Sequence, residues 1–184
     1  MEKNIVYIAL FSGLIAILGL LPKLTLVSGI PITAQSLGVM LCGIILGAKR
    51  GALAVLLFLS LVALGLPLLA GGRGGLGVFT TPWAGFLFGF PFAAFVTGYI
   101  MERLRSLPIS IVASFSAIIG SIFILYAIAI PYYMIGAKMN FFQSILTMSP
   151  FIPGDILKCI LAGFIVNGIH KSRPNAILSW ARTR

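Results

Sequence analysis

Charge is what this sequence has least of: only 9% of its 184 residues are Asp, Glu, Lys or Arg, where a water-soluble domain carries roughly a quarter. That scarcity excludes an ordinary soluble fold. Cysteine is nearly absent as well, with Cys42 and Cys159 both inside apolar runs, and His170 is the sole histidine. A disulfide framework is therefore implausible, and a metal site would lack ligands. Both cysteines read as small apolar packing residues. No GxxxxGK[ST] segment, HExxH pair, GxSxG elbow or cysteine cluster occurs, so the chain carries no catalytic or nucleotide motif and implies no cofactor. If this protein concentrates anything, the energy comes from elsewhere.

What is abundant is hydrocarbon: 60% of residues are hydrophobic and the mean hydropathy is +1.14. Lipid is the natural solvent for such a chain, because helices pair every backbone group within themselves. Apolar runs near the roughly 20 residues that cross a bilayer occur at about 4–21, 33–48, 51–69, 84–101, 109–130 and 152–169. The expected fold is thus an all-α membrane protein of six transmembrane helices, forming a single domain over residues 1–184. No cleavage pattern precedes the first run, which is expected to remain as a helix. Lys49-Arg50 alone separates the second and third runs, which predicts a tight antiparallel hairpin. No internal repeat is evident.

The net charge of +10 falls almost wholly between the runs, which is the pattern of topology signalling and headgroup attraction rather than of nucleic-acid binding. With the N-terminus in the cytoplasm, Lys3, Lys49, Arg50, Arg103, Arg105, Lys171, Arg173, Arg182 and Arg184 are inside. Only Lys23, Arg73 and Lys138 are outside. That bias predicts cytoplasmic termini and places loops 22–32, 70–83 and 131–151 on the outer face.

Three acids exist, and two of them, Glu2 and Glu102, sit at cytoplasmic ends of runs. Asp155 is the exception. In Pro153-Gly154-Asp155-Ile156-Leu157-Lys158 it opens the last run, with Lys158 at i+3 on the same helix face. An ionisable side chain in a span is unfavourable by about 2.5 to 3.5 kcal/mol, so it generally faces a partner or a polar cavity. The pair is either a salt bridge that pins the helix or a ligand site near the outer leaflet. Ala70-Gly71-Gly72-Arg73-Gly74-Gly75-Leu76-Gly77 matches GxGxxG through Gly72, Gly74 and Gly77, but outside a strand-turn-helix setting that match carries no nucleotide meaning. The block is a flexible loop, or it is backbone able to approach a ligand closely around the planar cation of Arg73. Trp83 after it is a headgroup anchor or part of a site. Gln35 can bond a ligand or a neighbouring helix, and Ala9 with Gly13 forms a small-xxx-small pair that permits close approach of another helix, inside the fold or on a partner.

Ile30-Pro31-Ile32-Thr33-Ala34-Gln35, Gly51-Ala52-Leu53-Ala54, the glycine-arginine block and Pro153-Gly154-Asp155-Ile156-Leu157-Lys158 together resemble the BioY family, the biotin-specific substrate-binding (S) components of energy-coupling factor (ECF) transporters. The likeness runs from the first helix to the sixth. It implies a six-helix protein of the bacterial cytoplasmic (inner) membrane, with a vitamin pocket facing outside. It also implies a membrane-embedded coupling subunit docked on the first helix, where Ala9 and Gly13 replace the family's Ala-xxx-Ala pattern. A pair of cytoplasmic ABC-type ATPases would complete the transporter. Biotin offers two ureido N–H donors, a carbonyl acceptor, an apolar fused ring and a carboxylate. Asp155 suits the ureido nitrogens and Lys158 the ureido oxygen or Asp155 itself. Arg73 suits the carboxylate, and Trp83, Phe79 and Tyr132 suit the ring faces, with Arg73 and Lys158 able to exchange roles. Other readings are an S component for riboflavin or thiamine, an assembly subunit that binds no small molecule, and a secondary transporter. The last predicts inverted repeats that are not evident.

Overall fold

The computed structural model describes residues 2–21, 24–25 and 31–180. Lys23, Arg182 and Arg184 of the sidedness argument, and Pro22, Gly29 and Ile30 of the first expected loop, lie outside the described residues. The chain is helical nearly throughout. It begins with α1 (Glu2–Leu18), followed by a small antiparallel ladder of β1 (Leu24–Thr25) and β2 (Pro31–Ile32), with Leu24 opposite Ile32. Next come α2 (Gln35–Leu41), which runs on through a π-helical turn (Cys42–Leu46), and α3 (Ala48–Ala63). After a 3-10 turn (Leu76–Thr80) comes α4 (Ala84–Arg103). A long rod then joins α5 (Ile109–Ile118), a second π-helical stretch (Ile119–Ile124) and α6 (Leu125–Ala137). Short α7 (Phe141–Met148) leads through a 3-10 turn into α8 (Ile152–Ser172), and a last 3-10 turn covers Pro174–Ala176.

By length and composition, three rods among the described residues can cross a membrane: Ala84–Arg103, Ile109–Ala137 and Phe141–Ser172, of 20, 29 and 32 residues. α1 and α3 are shorter, at 17 and 16 residues. The apolar run 51–69 does not stay helical to its end. α3 stops at Ala63, and Gly65 at φ +103 turns the chain into a loop that returns to pair Leu69 with Arg73. Conversely, the expected loop 131–151 is mostly helix. Pro131 lies inside α6 rather than at its boundary. In apolar surroundings a helix is the only economical way to pair the remaining backbone groups, so it continues through a proline. It ends where Lys138 adopts a left-handed conformation, and Asn140 and Gln143 then form a capping box for α7.

α4 is the central rod, packed against α3, α5, α6 and both π-helical stretches. Glycines make that closeness possible. A Cβ on Gly43 would strike the Ala94 carbonyl, and one on Gly98 would strike the Gly47–Ala48 backbone. Thr97, fully buried on α4, donates to the Ser116 carbonyl at 3.2 Å. Both cysteines are buried and unpaired, as packing residues should be.

One end of the bundle is tied together by polar bonds. Glu102 Oε1 accepts from the Ala48 N–H at 3.0 Å, which caps α3, and Arg50 donates to Asn4 Oδ1 at 3.2 Å. The segment after α8 returns to the same end. Ile177 is fully buried, the Ser179 N–H donates to the Ile45 carbonyl at 3.0 Å, and its hydroxyl donates to the Ile44 carbonyl. Arg105 donates to the Ser179 carbonyl at 3.2 Å. These bonds satisfy carbonyls that the end of the π turn leaves without helical partners.

Candidate functional site

At the opposite end lies a cleft, open at its mouth. Its floor is polar and comes from three helices. Pro153, early in the first turn of α8, sets the backbone for Asp155, whose carboxylate also benefits from the positive end of the helix. Asp155 is 7% exposed. Its Oδ1 accepts from Lys158 Nζ at 3.0 Å, one helical turn on, and its Oδ2 accepts from the Tyr126 hydroxyl of α6 at 2.7 Å. Lys158 Nζ also donates to Ser36 Oγ of α2 at 2.9 Å. The carboxylate is thus held by two donors of fixed direction, and each oxygen keeps further lone-pair capacity for a ligand N–H.

The walls are apolar and aromatic. From α4 come Phe86, Leu87 and Phe90, from the residue that precedes it Trp83, and from elsewhere Leu69, Leu125 and Phe151. Phe86 meets the Tyr126 ring edge to face, with centroids 5.7 Å apart, so the apolar wall and the polar floor share a residue. Arg73 completes the cleft from the α3–α4 connection. Its Nε donates to the Ala70 carbonyl at 3.2 Å, which fixes the guanidinium plane, and its terminal N–H groups meet no acceptor among the described residues.

Of the residues singled out in the sequence, Asp155, Lys158, Arg73, Gln35 and Trp83 come together around this one cleft. Gln35 is 3% exposed, and its polar atoms are turned to the protein. Its Nε2 donates to the carbonyls of Ile15 at 3.2 Å and Leu68 at 3.0 Å, and its Oε1 accepts from the Ala70 N–H at 3.0 Å. It knots α1, α2 and the Arg73 loop together. Phe79 and Tyr132 do not line the cleft. The Tyr132 hydroxyl donates to the Phe79 carbonyl at 2.9 Å, and both rings pack on Phe88 behind the wall. Gly72, at φ +68, and Gly74, whose Cβ would strike the Leu66 carbonyl, shape the turn that presents Arg73. Ala9 and Gly13 do not line the cleft but lie on the exposed side of α1, and a Cβ on Gly13 would meet nothing. Tyr126 and Ser36 are the site residues that sequence reasoning missed. A lone tyrosine hydroxyl in the run Leu125–Ile130 was the available signal, since a buried phenol finds a partner.

Comparison with known proteins places the chain in a family. A sequence profile of the BioY family matches residues 2–175. The biotin transporter BioY of Rhodobacter capsulatus is 48% identical over 97% of this chain and 99% of its own length. That of Rhizobium etli is 47% identical over 94% and 95%. Among solved structures, the S-component for biotin from an ECF-type ABC transporter superposes with a TM-score of 0.86 at 29% identity, covering 92% of each chain. With a profile match over nearly its full length and two relatives near half identity, the chain belongs to the BioY family.

Proposed function

We propose that this chain binds biotin and carries it across the cytoplasmic membrane as the substrate-specificity subunit of an ECF-type transporter, with ATP hydrolysis supplied by partner subunits. It is a transport protein, not an enzyme. The observation that carries the reading is the Asp155 carboxylate, oriented by Lys158 and Tyr126 at the floor of an otherwise apolar cleft. Such a group accepts two N–H donors of a cyclic urea through strong charge-assisted bonds. Lys158, already engaged with Asp155 and Ser36, serves the ureido end, which leaves Arg73 for the carboxylate. Trp83 contributes a ring face, while Gln35, Gly72 and Gly74 hold the Arg73 loop in place. The relatives named as biotin transporters support this ligand over riboflavin or thiamine.

Six helical rods cross the membrane, with both termini in the cytoplasm and the cleft facing outside. Polar bonds gather Asn4, Ala48, Arg50, Glu102 and Arg105 at one end, and Lys3, Lys49, Arg103, Lys171 and Arg173 are sequence neighbours of that end. Arg73 and Lys138 belong to the other. A cation-rich end is the cytoplasmic one. The exposed Ala9–Gly13 strip of α1 is where a membrane-embedded coupling subunit docks, bringing a pair of cytoplasmic ABC-type ATPases.

Biotin binding to purified Asp155→Asn tests the proposal. Loss of one charge-assisted bond weakens binding by roughly 10- to 100-fold, about 1.5 to 3 kcal/mol. Unchanged affinity in a variant of normal thermal stability would remove Asp155 from the site.

A further inference from the structure

Two lines of hydrogen bonds leave the cleft in different directions and end on neighbouring residues of α2. The first starts at Arg73. Its Nε donates to the Ala70 carbonyl at 3.2 Å, and the Ala70 N–H donates to Gln35 Oε1 at 3.0 Å. Gln35 Nε2 also donates to the Leu68 carbonyl at 3.0 Å, so one side chain fastens the Arg73 loop on either side of Leu69. Gly19 lets α1 close on this knot, because a Cβ there would strike the Leu68 carbonyl. The second line starts at Asp155. Lys158 Nζ donates to its Oδ1 at 3.0 Å and to Ser36 Oγ at 2.9 Å. Ser36 directs its own proton to the Thr33 carbonyl at 3.4 Å, which leaves its lone pairs to the ammonium. Gln35 and Ser36 are adjacent, in the first turn of α2. An unbroken path of covalent and hydrogen bonds thus joins the cation of the loop to the carboxylate of the floor.

We propose that Gln35 and Ser36 act together as a ruler, setting the span between the Arg73 loop and the Lys158–Asp155 pair, so that the cleft is selective for the length of the ligand's tail. This rests on the biotin reading above. Both are positioning residues, and they act through Arg73 and Lys158. A loop free to follow its ligand would accept a tail one methylene longer or shorter at little loss. A loop bonded to the same helical turn as the floor cannot follow, since a satisfied polar network is rigid. The shorter tail leaves its acid short of Arg73, and the longer one buckles against the apolar walls.

The test compares ligands that share the ureido ring. Binding of biotin, and of analogues with one methylene fewer or one more in the tail, is measured by calorimetry on detergent-solubilised wild type, Ser36→Ala and Gln35→Leu. Wild type is expected to prefer biotin over either analogue by roughly tenfold or more. Ser36→Ala frees the ureido end from α2, and the preference is expected to shrink by roughly threefold or more, as for members of one coupled network. Gln35→Leu frees the loop instead and is expected to shrink the same ratio. Were Ser36 only a local support for Lys158, its loss would weaken every ligand equally, and an unchanged ratio in Ser36→Ala overturns the proposal. Ser36→Thr keeps the hydroxyl and is expected to keep the wild-type ratio. Should Gln35→Leu fail to fold, Ser36→Ala decides the matter, because it removes one hydroxyl from a half-buried position. Failure of wild type to bind biotin at all overturns the proposed function and this inference with it. Wild type that binds biotin and both analogues alike overturns the inference alone.

Discussion

Gln35 makes three hydrogen bonds from a nearly sealed position, one to Ile15 of α1 and two to Leu68 and Ala70 of the loop that carries Arg73. Gln35→Leu keeps the volume but strands the Leu68 carbonyl and the Ala70 N–H, while the Ile15 carbonyl keeps its bond from the Gly19 N–H, at about 1 to 3 kcal/mol for each group left unpaired. The expected result is a thermal midpoint in detergent lowered by several degrees, with biotin affinity falling as well because the Arg73 loop loses its tether. Tyr126→Phe is the contrasting case. It removes only the donor to Asp155 Oδ2, so biotin affinity should fall roughly tenfold while the thermal midpoint shifts by a degree or two. The Asp155–Lys158 pair was legible in the sequence because it is local, one turn of one helix. Ser36 and Tyr126 were not, since Lys158 meets the first across 122 residues of sequence and Asp155 the second across 29. Which distant hydroxyl arrives at a carboxylate is decided by how helices cross, and a one-dimensional pattern of apolar residues does not encode that.

Among the elements, the close crossing of α4 with the α2–α3 corner carries the clearest prediction. Any Cβ on Gly98 strikes the backbone of Gly47 and Ala48, and backbone cannot rotate away as a side chain can. Gly98→Leu is expected to separate the helices and cost more than the 1 to 3 kcal/mol typical of overpacking, read as a large drop in thermal midpoint or loss of monodisperse protein. Gly13→Leu on the open face of α1 should leave stability and biotin binding intact and lower uptake in cells. The existence of these helices was readable from apolar run length, but their ends were not. Hydropathy alone carried the third run through to Leu69, although Gly65 already turns the chain by then. It also broke the fifth run at Pro131, although α6 runs on to Ala137. Neither π-helical stretch leaves a mark in hydropathy, because a π turn changes hydrogen-bond spacing without changing which residues are apolar.

For the whole molecule, sidedness can be read directly by thiol labelling. The native cysteines are buried, so Thr80→Cys beside the cleft and Ser172→Cys at the end of α8, both exposed positions, give a clean background. An impermeant maleimide is expected to label the first on intact cells and the second only after permeabilisation. Reversal of that order would put the cleft on the cytoplasmic side. The charge bias that predicts this orientation is legible in the sequence because it needs no tertiary information. The bonds from Ser179 to Ile44 and Ile45 were invisible there. They join positions more than 130 residues apart and have a consequence for biogenesis. Membrane helices enter the bilayer in order as they are synthesised, but the π-helical turn after α2 obtains these partners only from a segment made after α8. Until that segment leaves the ribosome, the early helices sit in the membrane with an unfinished seam. A segment made late therefore acts as the stitch that closes one made early.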